Sequence, residues 1–243
     1  MKKISVCMAT YNGERYLRAQ LESILPQLGE DDEIVVQDDC STDATLSMLE
    51  AFRDPRIQVV RNPRNLGVMC TIEKALARAR GAYIFLSDQD DVWLPGRVES
   101  ALTLLGKYDL VVVNCRVVDE QLQTISEDFF ALLGSRPGFL RNLYRNTFLG
   151  CCMSFRRGLL ERVLPFPHPI PMHDMWIGMV ATVWGAVYFH PEPLILYRRH
   201  DATVTSTATN RAARPARTKL LDRIRLVSGI VGRLCYFRAF RAE

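Results

Sequence analysis

The chain predicts an α/β fold: a mostly parallel central sheet with helices on both faces, followed by a basic helical tail. Three observations lead there. Short β-prone runs alternate with segments of helical periodicity through residue 86. The turns that leave those runs carry polar and acidic residues, as expected at the ligand-binding edge of an open sheet. From residue 206 onward, arginine and lysine replace the mixed charge of the body.

The elements follow in order. Lys3 to Ala9 predicts a first buried strand, broken by Thr10-Tyr11-Asn12-Gly13. Leu17, Leu21, Ile24 and Leu25 then recur at helical spacing up to Pro26. Glu33 to Val36 predicts the second strand, followed by Gln37-Asp38-Asp39-Cys40-Ser41-Thr42-Asp43, whose last three residues suit a helix start. Leu46, Leu49 and Phe52 mark that helix's apolar face. Ile57 to Val60 predicts a third strand, and residues 61 to 67 a loop. Val68 to Arg80 predicts a helix with Ile72, Ala75, Leu76 and Ala79 inward, ended by Gly81. The fourth strand runs into Ser87-Asp88-Gln89-Asp90-Asp91-Val92-Trp93.

Beyond Pro95 the alternation loosens. Arg97 to Tyr108 predicts a helix, Leu110 to Asn114 a strand, and residues 120 to 145 a mixed polar region. Phe148 to Phe155 predicts a strand opened by Gly150, and Arg156 to Leu164 a short helix. His173-Asp174-Met175-Trp176 opens an apolar helix through Val183. Two short strands, Ala186 to Phe189 and Leu194 to Tyr197, end in Arg198-Arg199-His200.

Composition excludes several classes. At 243 residues, with 48% apolar and 24% charged residues, the chain is an ordinary globular protein with one sizeable core. No apolar run is long enough to span a bilayer, and the start lacks a signal-peptide pattern, so a cytoplasmic location is expected. Seven scattered cysteines without a C-x-x-C pair indicate reduced thiols. Neither G-x-G-x-x-G nor a P-loop occurs, which disfavours a dinucleotide fold and a P-loop site.

Three carboxylates at one strand end repel one another unless a cation sits among them, and Mg²⁺ or Mn²⁺ carrying phosphate oxygens suits such a cluster. In isolation, an acidic surface turn is the simpler explanation of the triplet. The ordered neighbours change the balance. Val6 to Gly13, Gln37 to Asp43, Asn65-Leu66-Gly67 and Ser87 to Trp93 resemble the successive motifs of family 2 glycosyltransferases, inverting enzymes with the GT-A fold. Gly150-Cys151-Cys152-Met153-Ser154-Phe155, His173 to Trp176 and Tyr197-Arg198-Arg199-His200 resemble the bacterial branch that builds O-antigens and other surface polysaccharides, many of whose members are rhamnosyltransferases. Two positions depart from the pattern: Cys40 stands where the family usually has glycine, and His173 where many relatives have glutamate.

The resemblance implies roles. The nucleotide of a nucleoside-diphosphate sugar falls to Ala9, Thr10, Tyr11, Asn12 and Glu14 of the first loop. Asp38 or Asp39 accepts from the base imide, Arg64 and Asn65 complete the base pocket, Asp88 binds the ribose, and Gln89 lies beside it. Asp90 ligates Mg²⁺ or Mn²⁺, His200 is a further ligand, and Arg199 holds the diphosphate. Asp174 is the general base for the acceptor hydroxyl, with His173 either tuning it or facing solvent. Asp91 caps the next segment or orients the acceptor; Gly150 belongs to the acceptor side. Trp93 and Trp176 are packing residues or acceptor platforms. The acceptor implied is a glycan or polyprenyl-linked sugar.

The tail from Ser206 holds nine Arg and Lys against Asp222 and Glu243, a net +7 within a total of +4, which leaves the body mildly acidic. Leu220, Leu221, Ile224, Val227, Val231 and Leu234 follow helical spacing. That suits an amphipathic helix on an anionic membrane, peripheral to its inner face, or docking on the body or a partner; nucleic acid is not expected. Residues 1–205 form the expected catalytic domain and 206–243 the tail, with a linker over 208–216. A nucleotidyltransferase, or a non-catalytic nucleotide-sugar-binding assembly partner, remains the alternative.

Overall fold

The computed structural model describes residues 3–200 and 216–239. The 205/206 boundary and all of the expected linker except Ala216 lie outside the described residues. The first half follows the predicted alternation: β1 (Ile4–Thr10), α1 (Leu17–Ile24), β2 (Glu33–Asp38), α2 (Thr45–Ala51), β3 (Ile57–Arg61), α3 (Val68–Arg78) and β4 (Tyr83–Ser87). β1 pairs in parallel with β2 and β4, and β2 with β3. In this register Thr10 lies opposite Asp38 and Met8 opposite Ser87, so three loops leave the same edge. β2 is buried at every residue and β1 at all but Ala9, so both faces of the sheet are covered here.

The second half departs from a parallel plan. It comprises β5 (Val92–Trp93), α4 (Arg97–Leu105), β6 (Leu110–Val118), β7 (Thr124–Ser126), α5 (Phe129–Leu133), α6 (Phe139–Tyr144), β8 (Met153–Arg156), α7 (Leu160–Val163), α8 (His173–Trp184) and β9 (Val187–Arg198). The sheet order is β3-β2-β1-β4-β8-β6-β9-β5, with β7 added beside β6. β8 runs antiparallel between β4 and β6, and β5 and β7 are also antiparallel to their partners, so the sheet is mixed. Its parallel character is concentrated in the first half.

Two other expectations change. The strands read at 186–189 and 194–197 are one strand, β9, whose register against β6 shifts between His190 and Leu196. Pro191 and Pro193 supply no N–H to the ladder there, which interrupts its hydrophobic pattern without ending the strand. The strand expected over 148–155 begins instead with a 3₁₀ turn at Gly150–Cys152.

The tail forms α9 (Ala216–Ala239). It docks on the body through Leu226 and Ile230, both buried, and Gly229 brings it close enough that a Cβ there would stand 3.1 Å from Trp176. Burying two such side chains contributes about 3–6 kcal/mol, enough to seat the helix. Of the apolar residues singled out from spacing, Leu234 packs on the core and Val227 is half-buried, while Leu220, Leu221, Ile224 and Val231 are exposed.

Candidate active site

The first two loops are stitched together before any ligand is considered. Asp38, fully buried, accepts from Thr10 Oγ1 at 3.0 Å, Ser41 Oγ at 2.5 Å and Ser41 N at 2.9 Å. Asn12 Oδ1 accepts from Thr42 N, and Glu14 Oε2 from Ala44 N. Thr10, Asn12, Glu14 and Asp38 therefore spend side-chain atoms on loop construction. Closing two adjacent loops leaves backbone N–H groups that need acceptors, and Asn12, Glu14 and Asp38 supply them. Cys40 has φ 65°, in the left-handed region, which accounts for glycine at this place in the family pattern.

Gln89 plays a similar part. Its Oε1 accepts from Tyr11 N at 2.9 Å and its Nε2 donates to Tyr11 O at 3.1 Å, clamping the first loop to the acidic one. Gly13 permits this, since a Cβ there would lie 2.4 Å from Gln89 Oε1. Tyr11 itself is 46% exposed, beside the half-buried Ala9. Asp39 accepts from Leu66 N (2.7 Å), Gly67 N (2.9 Å) and Asn62 Nδ2 (2.9 Å). Burial alone would raise its carboxyl; these donors reverse that and hold it below the usual carboxylate range. The result is a fixed anionic acceptor next to exposed Arg64 and Asn65.

The acidic stretch separates into three environments. Asp90 Oδ2 lies 2.7 Å from His200 Nε2, with the two side chains only 18% and 10% exposed. Asp91 faces inward: it is fully buried, and Oδ1 accepts from Arg198 N at 3.0 Å. This corrects its expected contact with diphosphate or acceptor, and makes it the anchor between the acidic loop and β9. Asp88, half-buried, is pushed up to about 7 by burial and then by the charges of Asp90 and Asp174. The acidic loop and the start of α8, remote in sequence, thus meet in one site.

Asp174 opens α8, where its Oδ1 accepts from Met175 N, and Asn146 adds a side-chain hydrogen bond. Only 5% exposed, its carboxyl is raised to about 7 by burial. His173 is buried beside it rather than solvent-facing, and burial lowers it to about 4, so it is neutral. A Cβ at Gly150 would stand 2.8 Å from His173 Nε2 and 3.7 Å from Asp174 Cβ, so glycine lets this turn close over the base.

Trp93 and Trp176 are core residues, 2% and 0% exposed, which removes the acceptor-platform expectation. Trp93 packs against Phe85 and the buried Arg97, while Trp176 Nε1 donates to Val163 O at 2.9 Å. The Arg199 guanidinium lies 4.9 Å from the Tyr197 ring centroid. Its neighbour Arg198 does the bracing: Nε donates to Asp90 O and Nη1 to Glu120 O, both at 2.7 Å, over the Tyr16 ring. Sequence reasoning missed Asn146, and placed Arg198 and Cys151 in motifs without giving them a role. The last offers a thiol within 4.8 Å of ligand atoms of Asp88 and Asp91. No spacing signal gives their partners, since each arrives from a distant segment.

The Asp90–His200 pair tests the expected metal. A carboxylate oxygen and an imidazole nitrogen already converge at a partly open rim, a donor set that suits Mn²⁺ and admits Mg²⁺ through the carboxylate. Asp88, Asp91 and Cys151 make a second cluster, but a thiol is a poor donor to either ion. A cavity of about 640 Å³ lies elsewhere, lined by Arg80, Arg156 and Arg157. Their guanidinium groups are already bonded to Glu33, Leu105 O and Ala79 O, so it is a structural feature.

A mixed sheet with carboxylate loops at one edge and the buried Asp174 carboxyl at the start of α8 is an arrangement of GT-A type. The family model "Glycosyl transferase family 2" matches residues 5–164, and the chain belongs to that family. It is 31% identical over 184 residues to the UDP-Glc:alpha-D-GlcNAc-diphosphoundecaprenol beta-1,3-glucosyltransferase WfgD of Escherichia coli, covering 73% of this chain and 69% of that one. It is 27% identical over 220 residues to the dTDP-rhamnosyl transferase RfbG of Shigella flexneri, covering 80% and 72%. Among solved structures, S. aureus TarS in complex with UDP-GlcNAc superposes with a TM-score of 0.69 at 23% identity, covering 85% of this chain and 61% of that one. The mannosyltransferase PcManGT of Pyrobaculum calidifontis, in complex with GDP-Man and Mn²⁺, gives 0.60 at 22% identity, over 98% and 64%. The chain thus spans roughly three fifths of the length of these solved neighbours. Membership removes the nucleotidyltransferase alternative.

Proposed function

We propose that this enzyme transfers a sugar from a nucleoside-diphosphate sugar to a hydroxyl of a glycan or polyprenyl-linked acceptor, with inversion, in bacterial surface-polysaccharide synthesis. One observation carries the reading: the Gly150–Cys152 turn packs against Asp174 through Gly150 and brings the Cys151 thiol within 4.8 Å of ligand atoms of Asp88 and Asp91, so the acidic loop with its Asp90–His200 pair and the start of α8 adjoin. Donors named for the relatives, dTDP-rhamnose and UDP-glucose, are the first to test.

In this reading Tyr11, Arg64 and Asn65 surround the base, Asp39 accepts its imide N–H, and Asp88 meets the ribose. Asp90 and His200 hold Mg²⁺ or Mn²⁺, which when bound supplies Lewis-acid stabilisation to the departing diphosphate. Asp174 takes the acceptor proton as that oxygen bonds to the anomeric carbon and the nucleoside diphosphate leaves on the opposite face. A base poised near 7 is well matched to this transfer at neutral pH. Neutral His173 and Asn146 keep Asp174 in place and water away.

The test is thermal stability with UDP, dTDP and GDP, each with and without Mn²⁺, on wild type and Asp90→Ala. Metal-dependent stabilisation by at least one nucleotide, lost in the variant, is expected. If none stabilises the wild type, the reading is wrong.

A further inference from the structure

Two exposed apolar patches that are remote in sequence meet on one flank of the molecule. On α6, Leu140 is 78% and Tyr144 88% exposed. On α9, Leu220 is 61% and Ile224 52% exposed. Arg223 joins the two helices, donating through Nη2 to Tyr144 O at 3.4 Å and through Nη1 to Met175 Sδ at 3.2 Å. At about 100° per residue, Leu220, Ile224, Val227 and Val231 form a stripe turned from buried Leu226 toward the flank that Arg223 occupies. Leu140 and Tyr144 therefore extend the stripe.

The charge around this surface has one sign. No acidic residue occurs between Asp128 and Glu161, where Arg136 and Arg145 are exposed. Within α9 the single acid, Asp222, is buried, while Arg217, Lys219 and Arg225 are exposed. No helix of the described residues is long and apolar enough to cross a membrane. Large apolar side chains rimmed by arginine and lysine are the chemistry of an interfacial surface.

We propose that the α6–α9 face is a docking surface for an anionic lipid bilayer, placed to bring a lipid-linked acceptor to Asp174. The placement follows from a contact: Arg223, which bonds Tyr144 O, also donates to Sδ of Met175, the residue after Asp174. The acceptor half of this inference rests on the glycosyl-transfer reading. Lipid binding does not, so a vesicle measurement succeeds or fails separately from it.

The experiment is flotation of the full chain with vesicles of phosphatidylglycerol and phosphatidylcholine, or phosphatidylcholine alone. Retention on the anionic vesicles, reduced by salt, is expected. Tyr144→Ser with Leu140→Ser, and separately Leu220→Ser with Ile224→Ser, should each weaken partitioning by about tenfold or more, on the scale of apolar burial. These side chains are exposed, so an unchanged melting temperature shows that folding is intact. No binding to anionic vesicles, equal binding to neutral ones, or binding unaffected by both pairs overturns the proposal. So does a dimer, seen by light scattering without lipid and dissolved by the same substitutions, which would assign the face to a second copy.

Discussion

Replacing Asp174 by asparagine should make the enzyme more stable and far less active, and both effects follow from its burial. The folded carboxyl is raised to about 7 from 3.8. Between those values the folded state holds a proton that the unfolded chain has released, so stability falls as pH rises through this window and stays lower above about 7. At 1.36 kcal/mol per unit, the ionised carboxylate costs up to about 4 kcal/mol at pH 8. The amide of the Asp174→Asn variant carries no charge to desolvate and can still accept from Met175 N. The stability difference between variant and wild type should therefore be near zero at pH 4 and open to a few kcal/mol at pH 8. For a chain of this size that is roughly 8–16 °C in melting temperature. Removing this charge also relieves Asp88, which feels it. Transfer should fall by about 10²–10⁴-fold with donor binding retained. Calorimetric melting across pH 4–8, with single-turnover assays, checks both halves. Parallel stability curves for the two proteins would refute the buried-carboxylate reasoning, and retained transfer would refute the base.

The wild-type rate should rise about tenfold per pH unit below about 7 and then level, as Asp174 loses its proton; a flat profile from pH 5 to 8 removes that assignment. His200→Ala should weaken Mn²⁺-dependent nucleotide binding, read by titration calorimetry, while leaving metal-free nucleotide binding intact. Cys40→Gly should stabilise the fold by about 1 kcal/mol by relieving a left-handed backbone, measured by urea unfolding. Gly81→Ala should destabilise by several kcal/mol, because its Cβ would come 2.4 Å from Ser5 N and 2.5 Å from Ile4 C of the central strand; a melting temperature unchanged from wild type contradicts the packing.

The first half of the fold was legible because local pattern and tertiary role coincide there. The parallel strands are short β-prone runs bounded by turn residues, and the helices show the faces they bury: Leu17, Leu21 and Ile24, then Ile72, Ala75 and Leu76. The second half was less so. β5 and β7 are too short to carry a period, and Pro191 and Pro193 split the pattern of β9. In the tail, six apolar positions at helical spacing predicted the helix but not which of its residues dock: Leu226 and Ile230 are buried and Leu234 packs on the core, while Leu220 and Ile224 stay exposed. Periodicity reports that a stripe exists; what covers it depends on the partner surface.

The candidate site divides in the same way. The residues at the edge of the sheet were readable from sequence because parallel β-strands send their carboxyl-end loops to one place, whatever the side chains later do. Chain order alone also put a carboxylate at the start of a helix. The division of labour was decided only by tertiary structure. Asp88, Asp90 and Asp91 are alike in sequence, yet one feels the charge of Asp174, one meets His200 and one the Arg198 backbone. A carboxylate's task is set by its burial and by which donors reach it, and those donors come from segments about a hundred residues away that the sequence cannot place without the fold.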